Sequence, residues 1–400
     1  MARRGEEFGF CVPSVEVDWP RIVARKNAIV SSMVANLERS FRENPRITLL
    51  RGNARFVGPT RLDVDGKSVE AEKIIVASGV MPVIPDIPGL REAGFETNET
   101  VMDMKSLPRS MVVIGGGPEG MEFAQMFQRF GVSITVLQRR DRVLPHEDEE
   151  ISRELQDILR EEGVDIRTGA TPERVEQMSS GKLAVIAQVK GGSERFECER
   201  ILVAAGRRPH ELADMELQRA GIEGDRERGI QVDKTLRTTA PAVWAVGDVM
   251  GRVQYTHFAT YTAGIAVANA LSGEGRAYDT GRVPGAVFTD PEVASVGLTE
   301  QEARAQGRKV KIGKQAFKSV ARARAMGETH GFVKFVVDAK TDALLGMHVL
   351  SHFAADLLVQ GILLLNTQDR SIAPMANCIC VHPTLSEGVK TAATTLHAIE

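Results

Sequence analysis

Two groups of residues in this 400-residue chain have types and spacings suited to chemistry. The first is Gly115-Gly116-Gly117-Pro118-Glu119-Gly120, which places Gly115, Gly117 and Gly120 in a G-x-G-x-x-G pattern. It follows the apolar run Met111–Ile114 and opens a helical pattern, the context that dinucleotide binding requires. Gly115 permits the tight turn, Gly117 lets the backbone approach a pyrophosphate, and Gly120 allows close helix–strand packing. The helix N-terminus then faces the phosphate charge. The alternative is a glycine-rich turn with no ligand. The second group is His382 with Glu387, five residues on. A carboxylate can bond one ring nitrogen, fix the tautomer and raise the imidazole pKa. The other nitrogen is then free to act as acid or base toward a thiol. Spacing alone leaves a structural role open for this pair.

The elements that position these groups follow from pattern. Strand Met111–Ile114, helix Pro118–Phe130 and strand Val132–Leu137 make a parallel βαβ unit, continued by a helix at Ile151–Glu162 and a strand ending at Gly206. The run VSITVL leads into Gln138-Arg139-Arg140, with no carboxylate before Asp141. An acidic residue there would bind a ribose 2′-OH, whereas two guanidinium groups suit a 2′-phosphate. NADPH is therefore expected over NADH, the alternative being that Arg139 and Arg140 are solvated turn charges.

Before this unit, Pro20–Asn44 reads as a helix, with Pro20 at a first helical position. The runs ITLLRG, ARFVG, RLDVDG and KIIVASG, the last ending at Gly79, read as short strands. Met81–Gly89 carries three prolines and reads as a boundary linker. After the unit, AVWAVGD (Ala242–Asp248) is a buried strand leading into a small-residue helix, Ala259–Leu271. From Arg282 onward, GAVFTD, GFVKFVVD, ALLGMHVL and the helical stretch Ala354–Leu365 describe an antiparallel α+β domain.

Composition removes several classes of function. A mass of 43.6 kDa with 43% hydrophobic and 26% charged residues is that of a soluble globular chain of several domains. Net charge is 50 − 53 = −3, which gives no drive toward nucleic acid or an anionic membrane. Four cysteines exclude a disulfide scaffold and suggest a reducing, cytoplasmic compartment. No apolar run is long enough to span a membrane, and the start MARRGEEFGF lacks the apolar stretch of a secretory signal. No basic–aromatic stripe suits nucleic acid, and no His/Cys/Asp group has zinc spacing, so no metal is expected.

Several motifs together resemble the pyridine nucleotide-disulfide oxidoreductases, in particular their dihydrolipoamide dehydrogenase and mercuric reductase branch. They are Ala77-Ser78-Gly79 with Pro82, Pro85 and Ile87-Pro88-Gly89; the glycine loop with Glu122; Ala205-Gly206-Arg207-Arg208-Pro209; Ala245-Val246-Gly247-Asp248; Phe288–Gly297; and His382-Pro383-Thr384-Leu385-Ser386-Glu387. The resemblance implies an α/β, Rossmann-like fold with two dinucleotide-binding domains, plus a C-terminal dimerisation domain. It divides the chain into 1–96 and 211–280 for FAD, 97–210 for NAD(P) and 281–400 for dimerisation. It also implies hydride transfer from NADPH to FAD, then electrons to a disulfide or related small-molecule or protein acceptor. Glu122 goes to the nicotinamide end, Gly79, Gly206 and Asp248 to the cofactor sites, and the His382–Glu387 pair to the flavin site of the other subunit of a homodimer. Pro383 is expected at a helix start.

The departures are as specific. The family's N-terminal flavin fingerprint and its Cys-x-x-x-x-Cys redox pair do not occur in these residues. The text would lie downstream of them, with Met1 an internal residue, so poor flavin binding is expected of the chain as given. Cys11 reads as a buried or partly exposed thiol without a partner, and Cys198 as part of a surface strand. Cys378 and Cys380 alternate before His382, which suits a buried strand or linker, a redox role being the weaker reading. No cysteine pair closes the sequence at TTLHAIE, which argues against mercuric ion as substrate. His257 is a candidate for the flavin's neighbourhood, and His146 reads as a surface residue. The alternative to a working reductase is a catalytically silent nucleotide-binding and dimerisation chain. A flavin reductase without a redox disulfide is a third reading, against which the dyad weighs.

Overall fold

The computed structural model describes residues 2–209, 212, 214–251 and 253–398. Met1, Glu400 and the boundary expected between residues 210 and 211 lie outside the described residues. The chain divides into two compact units. One takes the residues up to Val17, Ile84–Ala205 and those from Gly281 on; the other takes Asp18–Val83 and Gly206–Thr280.

The first unit contains a four-stranded parallel sheet in the order Arg200–Val203, Ser110–Ile114, Ser133–Gln138, Asp165–Thr168. Met111, Val112, Val113 and Ile114 are all buried, as a parallel sheet covered on both faces requires. The helix Pro118–Arg129 buries Met121, Ala124 and Phe127. The helix Glu149–Glu161 begins at Asp148, whose carboxylate accepts from Glu150 N–H, and two glutamates in its first turn complement the helix dipole. Beside the sheet lie three antiparallel strands, Thr171–Gln177, Leu183–Val189 and Gly192–Cys198. Their alternation turns Phe196 and Cys198 inward. Cys198 is thus buried rather than on a surface strand, and burial pushes its thiol up to about 11.

The same unit carries a six-stranded antiparallel sheet, in the order Gly285–Val287, Glu292–Gly297, Leu344–Ser351, Phe332–Asp338, Val310–Ala316, His397–Ala398. Helices Ala354–Leu365 and Ser386–Thr394 contribute Leu358 and Val389 to a core that includes Val333, Phe335, Met347 and Val349. Lys334, fully buried in this sheet, reaches Asp148 at 3.0 Å, Glu150 at 2.7 Å and Glu300 at 2.9 Å. Near the N-terminus, Arg4 donates to Glu328 at 2.8 Å and to the Gly327 carbonyl at 2.6 Å.

The second unit opens with the helix Trp19–Glu43, started by the Asp18 side chain on Arg21 N–H and by Pro20 in its first turn. Three antiparallel strands follow, Ala54–Phe56, Arg61–Val64 and Lys67–Glu70. The run ITLLRG is not a strand. Ile47, Leu49 and Leu50 are exposed, and no ladder among the described residues pairs with them. Ile74–Val76 pairs in parallel with Val243–Ala245. The latter leads through Gly247–Met250 into the helix Thr256–Ser272, so His257 lies inside that helix rather than before it. Met81–Pro82, read as linker, pairs with Arg207–Arg208. Among the described residues, no helix is long and apolar enough to cross a membrane.

Candidate functional site

The glycine loop sits where strand Ser110–Ile114 ends and helix Pro118–Arg129 begins. Gly115 has φ +117°, and a Cβ there would fall 2.2 Å from the Ala204 carbonyl oxygen. A Cβ on Gly120 would fall 2.1 Å from the Gly115 carbonyl oxygen, so only glycine lets this helix approach the strand end so closely. At Gly117 a Cβ would meet nothing within 4 Å, which leaves the helix N-terminus open to an anion. Replacing Gly120 with Ala should push the helix off the strand. We expect nucleotide affinity to fall at least about tenfold and the protein to lose about 1–3 kcal/mol, measured by nucleotide titration and urea unfolding.

Gln138 closes the next strand and braces the loop. Its side-chain oxygen accepts from Gly116 N–H at 3.4 Å, and its amide donates to the Arg142 carbonyl at 3.0 Å. Arg139 and Arg140 follow, exposed, and among the described residues neither side chain has a hydrogen-bond or ion-pair partner. Glu122, in the helix, accepts from Phe288 N–H at 2.7 Å. Burial pushes its carboxyl upward, that bond opposes the shift, and nearby Glu119 adds to it.

In the second unit, Gly79 and Gly206 have φ of +73° and +103°, and a Cβ at either would meet nothing within 4 Å. Gly206 also accepts Val83 N–H at 2.8 Å. Asp248 is half-buried at the start of the turn Gly247–Met250. Burial raises its carboxyl, and the charge of Arg207 works against that. Its carboxylate accepts no hydrogen bond from the described residues. His257 is exposed and stacks on Tyr255, with ring centroids 5.1 Å apart. His146 is exposed, as expected.

His382 Nδ1 lies 2.9 Å from Glu387 Oε1, and Glu387 Oε2 accepts Thr384 N–H at 2.9 Å. The Thr384 bond first, and the His382 contact second, hold the Glu387 carboxyl below its usual range. The imidazole is largely exposed, at 71% of its side-chain surface, so its Nε2 faces outward rather than into the packed interior. Pro383 does not start the helix. It follows a cis His382–Pro383 peptide, and the helix begins at Ser386, with Glu387 in its first turn. Cys378 and Cys380 lie in no strand but in the extended segment after the helix Ala373–Asn377, and Cys11 is exposed.

Sequence reasoning missed two long-range groupings. Glu122 and Phe288 are 166 residues apart, and nothing local announces their contact. Asp290, Glu328 and His352 bring ligand-type atoms within 4.8 Å of one another. Arg129 already pairs with Asp290 at 2.7 Å and Arg4 with Glu328 at 2.8 Å, so this acidic group is compensated by cations.

A glycine loop between a parallel strand and a helix, in a chain whose antiparallel domain carries a carboxylate–imidazole pair, fits the class of dinucleotide-binding proteins. The chain belongs to the pyridine nucleotide-disulphide oxidoreductases, whose family model matches residues 4–263, with the dimerisation domain of that family matching 283–393. The mercuric reductase of Bacillus cereus is 33% identical over 395 residues, covering 99% of this chain, and the chain spans only 62% of that relative's length. The dihydrolipoyl dehydrogenase of Thermus scotoductus is 35% identical, with 96% of this chain and 82% of the relative covered. Among solved structures, the HOCl-induced flavoprotein disulfide reductase RclA from Escherichia coli has a TM-score of 0.86 at 30% identity, covering 98% of this chain and 88% of that one.

Proposed function

We propose that this chain carries the NADPH-binding, dimerisation and proton-handling parts of a homodimeric, FAD-dependent reductase that delivers electrons to a disulfide or related acceptor, the flavin fingerprint and the Cys-x-x-x-x-Cys pair lying outside these residues. The observation that carries this reading is the pair formed by His382 Nδ1 and Glu387 Oε1 at 2.9 Å, which leaves the other ring nitrogen toward solvent. Such a nitrogen can hold a proton at the point where a thiol leaves or enters.

When bound, the pyridine nucleotide supplies hydride and the flavin passes on the electron pair. The protein's part is positioning and proton handling. Gly115, Gly117 and Gly120 let the helix N-terminus bind pyrophosphate oxygens. Glu122, held by Phe288 N–H, lines the nicotinamide end. Asp248, half-buried and without a hydrogen-bond donor among the described residues, fits a sugar hydroxyl, and the open positions at Gly79 and Gly206 leave room for a cofactor beside the backbone. Glu387 fixes the His382 tautomer, and His382 Nε2 gives or takes the thiol proton. The exposed apolar side chains of Ile379 and Val381 beside the dyad favour a second copy as the covering partner.

Arg139 and Arg140 carry the preference for NADPH, because their free guanidinium groups match a 2′-phosphate. The double change Arg139→Ala, Arg140→Ala should raise KM for NADPH about tenfold to a hundredfold, with little effect on NADH. The deciding experiment for the whole reading records the flavin absorbance of the purified protein and its NADPH- and NADH-driven reduction of a dye and of a small disulfide. No flavin together with no NADPH oxidation would overturn the reading in favour of the silent chain. Dye reduction insensitive to thiol alkylation would instead point to a flavin reductase.

A further inference from the structure

We propose that Cys378 and Cys380 form a chelating dithiolate for a soft d10 cation, a site separate from the nucleotide loop and adjoining the His382–Glu387 pair. The argument starts from the backbone. After the helix Ala373–Asn377, Cys378 is extended, with φ −67° and ψ 157°. Alternation along this segment sends Ile379 and Val381 outward, at 99% and 76% exposure. The two cysteines therefore turn to the same, inner side, and Cys378 packs against the core of the antiparallel domain.

Their sulfur atoms lie 3.6 Å apart. A disulfide would need about 2.05 Å, so these are two separate thiols. A d10 ion such as Zn2+ binds thiolate at about 2.3 Å with tetrahedral angles, which sets two thiolates about 3.8 Å apart. The observed separation matches that bite within a few tenths of an ångström. The existing partners of the thiols are weak. Cys378 Sγ approaches the Met375 carbonyl at 3.2 Å and Cys380 Sγ the Ser386 carbonyl at 3.8 Å. Thiol donors are weak, so a cation displaces little.

Among the described residues, no His, Asp or Glu ligand atom joins both sulfurs within 4.8 Å. The ion would thus keep exchangeable positions for water or a small thiol, as open sites do. Binding a divalent ion forms two metal–sulfur bonds, breaks two S–H bonds and releases two protons to solvent. No electron moves.

The test is titration of the reduced, metal-free full chain with Cd2+ alone, followed by the ultraviolet thiolate-to-cadmium absorbance and by native mass spectrometry. One Cd2+ per chain is expected. Cys378→Ser and Cys380→Ser should each weaken binding at least about tenfold, while Cys11→Ser should leave it unchanged. In the unaltered protein, Cd2+ should protect both thiols from alkylation, read by peptide mass spectrometry, which stands even if a variant fails to fold. The proposal falls if the band survives when Cys378→Ser and Cys380→Ser are combined, if no stoichiometric band appears, or if both thiols alkylate at the same rate with and without Cd2+.

Discussion

Replacing His382 with Gln should lower kcat for disulfide reduction about 10²–10⁴-fold, while NADPH-driven dye reduction stays within about twofold. The split follows from geometry. His382 is far more exposed than Glu387, and its Nδ1 is committed to that carboxylate, so its only free group is Nε2. That nitrogen can serve a thiol proton but contributes nothing to nucleotide binding. Glu387→Gln should cost less, about 10–100-fold, because the amide still reaches Nδ1 but no longer carries charge. Glu387 also has a folded carboxyl held below its ordinary 4.5, by Thr384 N–H first and His382 second. Its ionised state therefore persists to lower pH than in the unfolded chain. Glu387 itself should add no inflection to kcat/KM above about pH 5. Stopped-flow measurement of the two half-reactions against pH checks all three statements. Equal losses in dye and disulfide reduction by the His382 variant would show that the imidazole serves folding or nucleotide binding instead.

The parts of this molecule that were legible in the sequence are those dictated by local sterics. The glycine spacing at 115, 117 and 120 could be interpreted because each position has its own steric demand, and two of the three demands appear as Cβ clashes near 2 Å. The parallel strands were legible because burial on both faces leaves a continuous apolar run, as in Met111–Ile114. Where partners are distant the sequence was mute or misleading. ITLLRG has strand composition, but a strand exists only with a neighbour to bond, and the described residues offer it none. Cys198 reads from the sequence as part of a surface strand, yet alternation in a paired strand buries every second residue. Pro383 looked like a helix start, but its cis peptide belongs to a turn that ends before Ser386. The dyad's residues were legible as types, while their 2.9 Å contact was not.

The buried ion cluster is the clearest case of information held only in three dimensions, and it carries the largest expected effect on stability. Lys334 lies among apolar residues in the strand Phe332–Asp338, and meets carboxylates from Asp148, Glu150 and Glu300. Burial alone would depress its pKa, but Asp148 first, then Glu150 and Glu300, raise it above the ordinary 10.5. Burial likewise opposes ionisation of Glu150, but bonds from Lys314 and Lys334 outweigh it and hold that carboxyl below 4.5. Lys334→Met should destabilise the fold by about 3–5 kcal/mol, because it leaves Asp148, which is fully buried, without its cation. Adding Asp148→Asn should recover part of the loss, since the uncompensated charge is then gone. The pH dependence has a definite sign. Glu150 contributes stability above its unfolded pKa, and that contribution disappears as pH falls through the folded value. Lys334 contributes below 10.5 and loses its share only as pH rises through a still higher folded value. Urea midpoints of the wild type should therefore fall on the acid side, and Lys334→Met should flatten that limb. A variant that unfolds at the wild-type midpoint at neutral pH would show that this buried lysine stabilises nothing that a methyl thioether cannot.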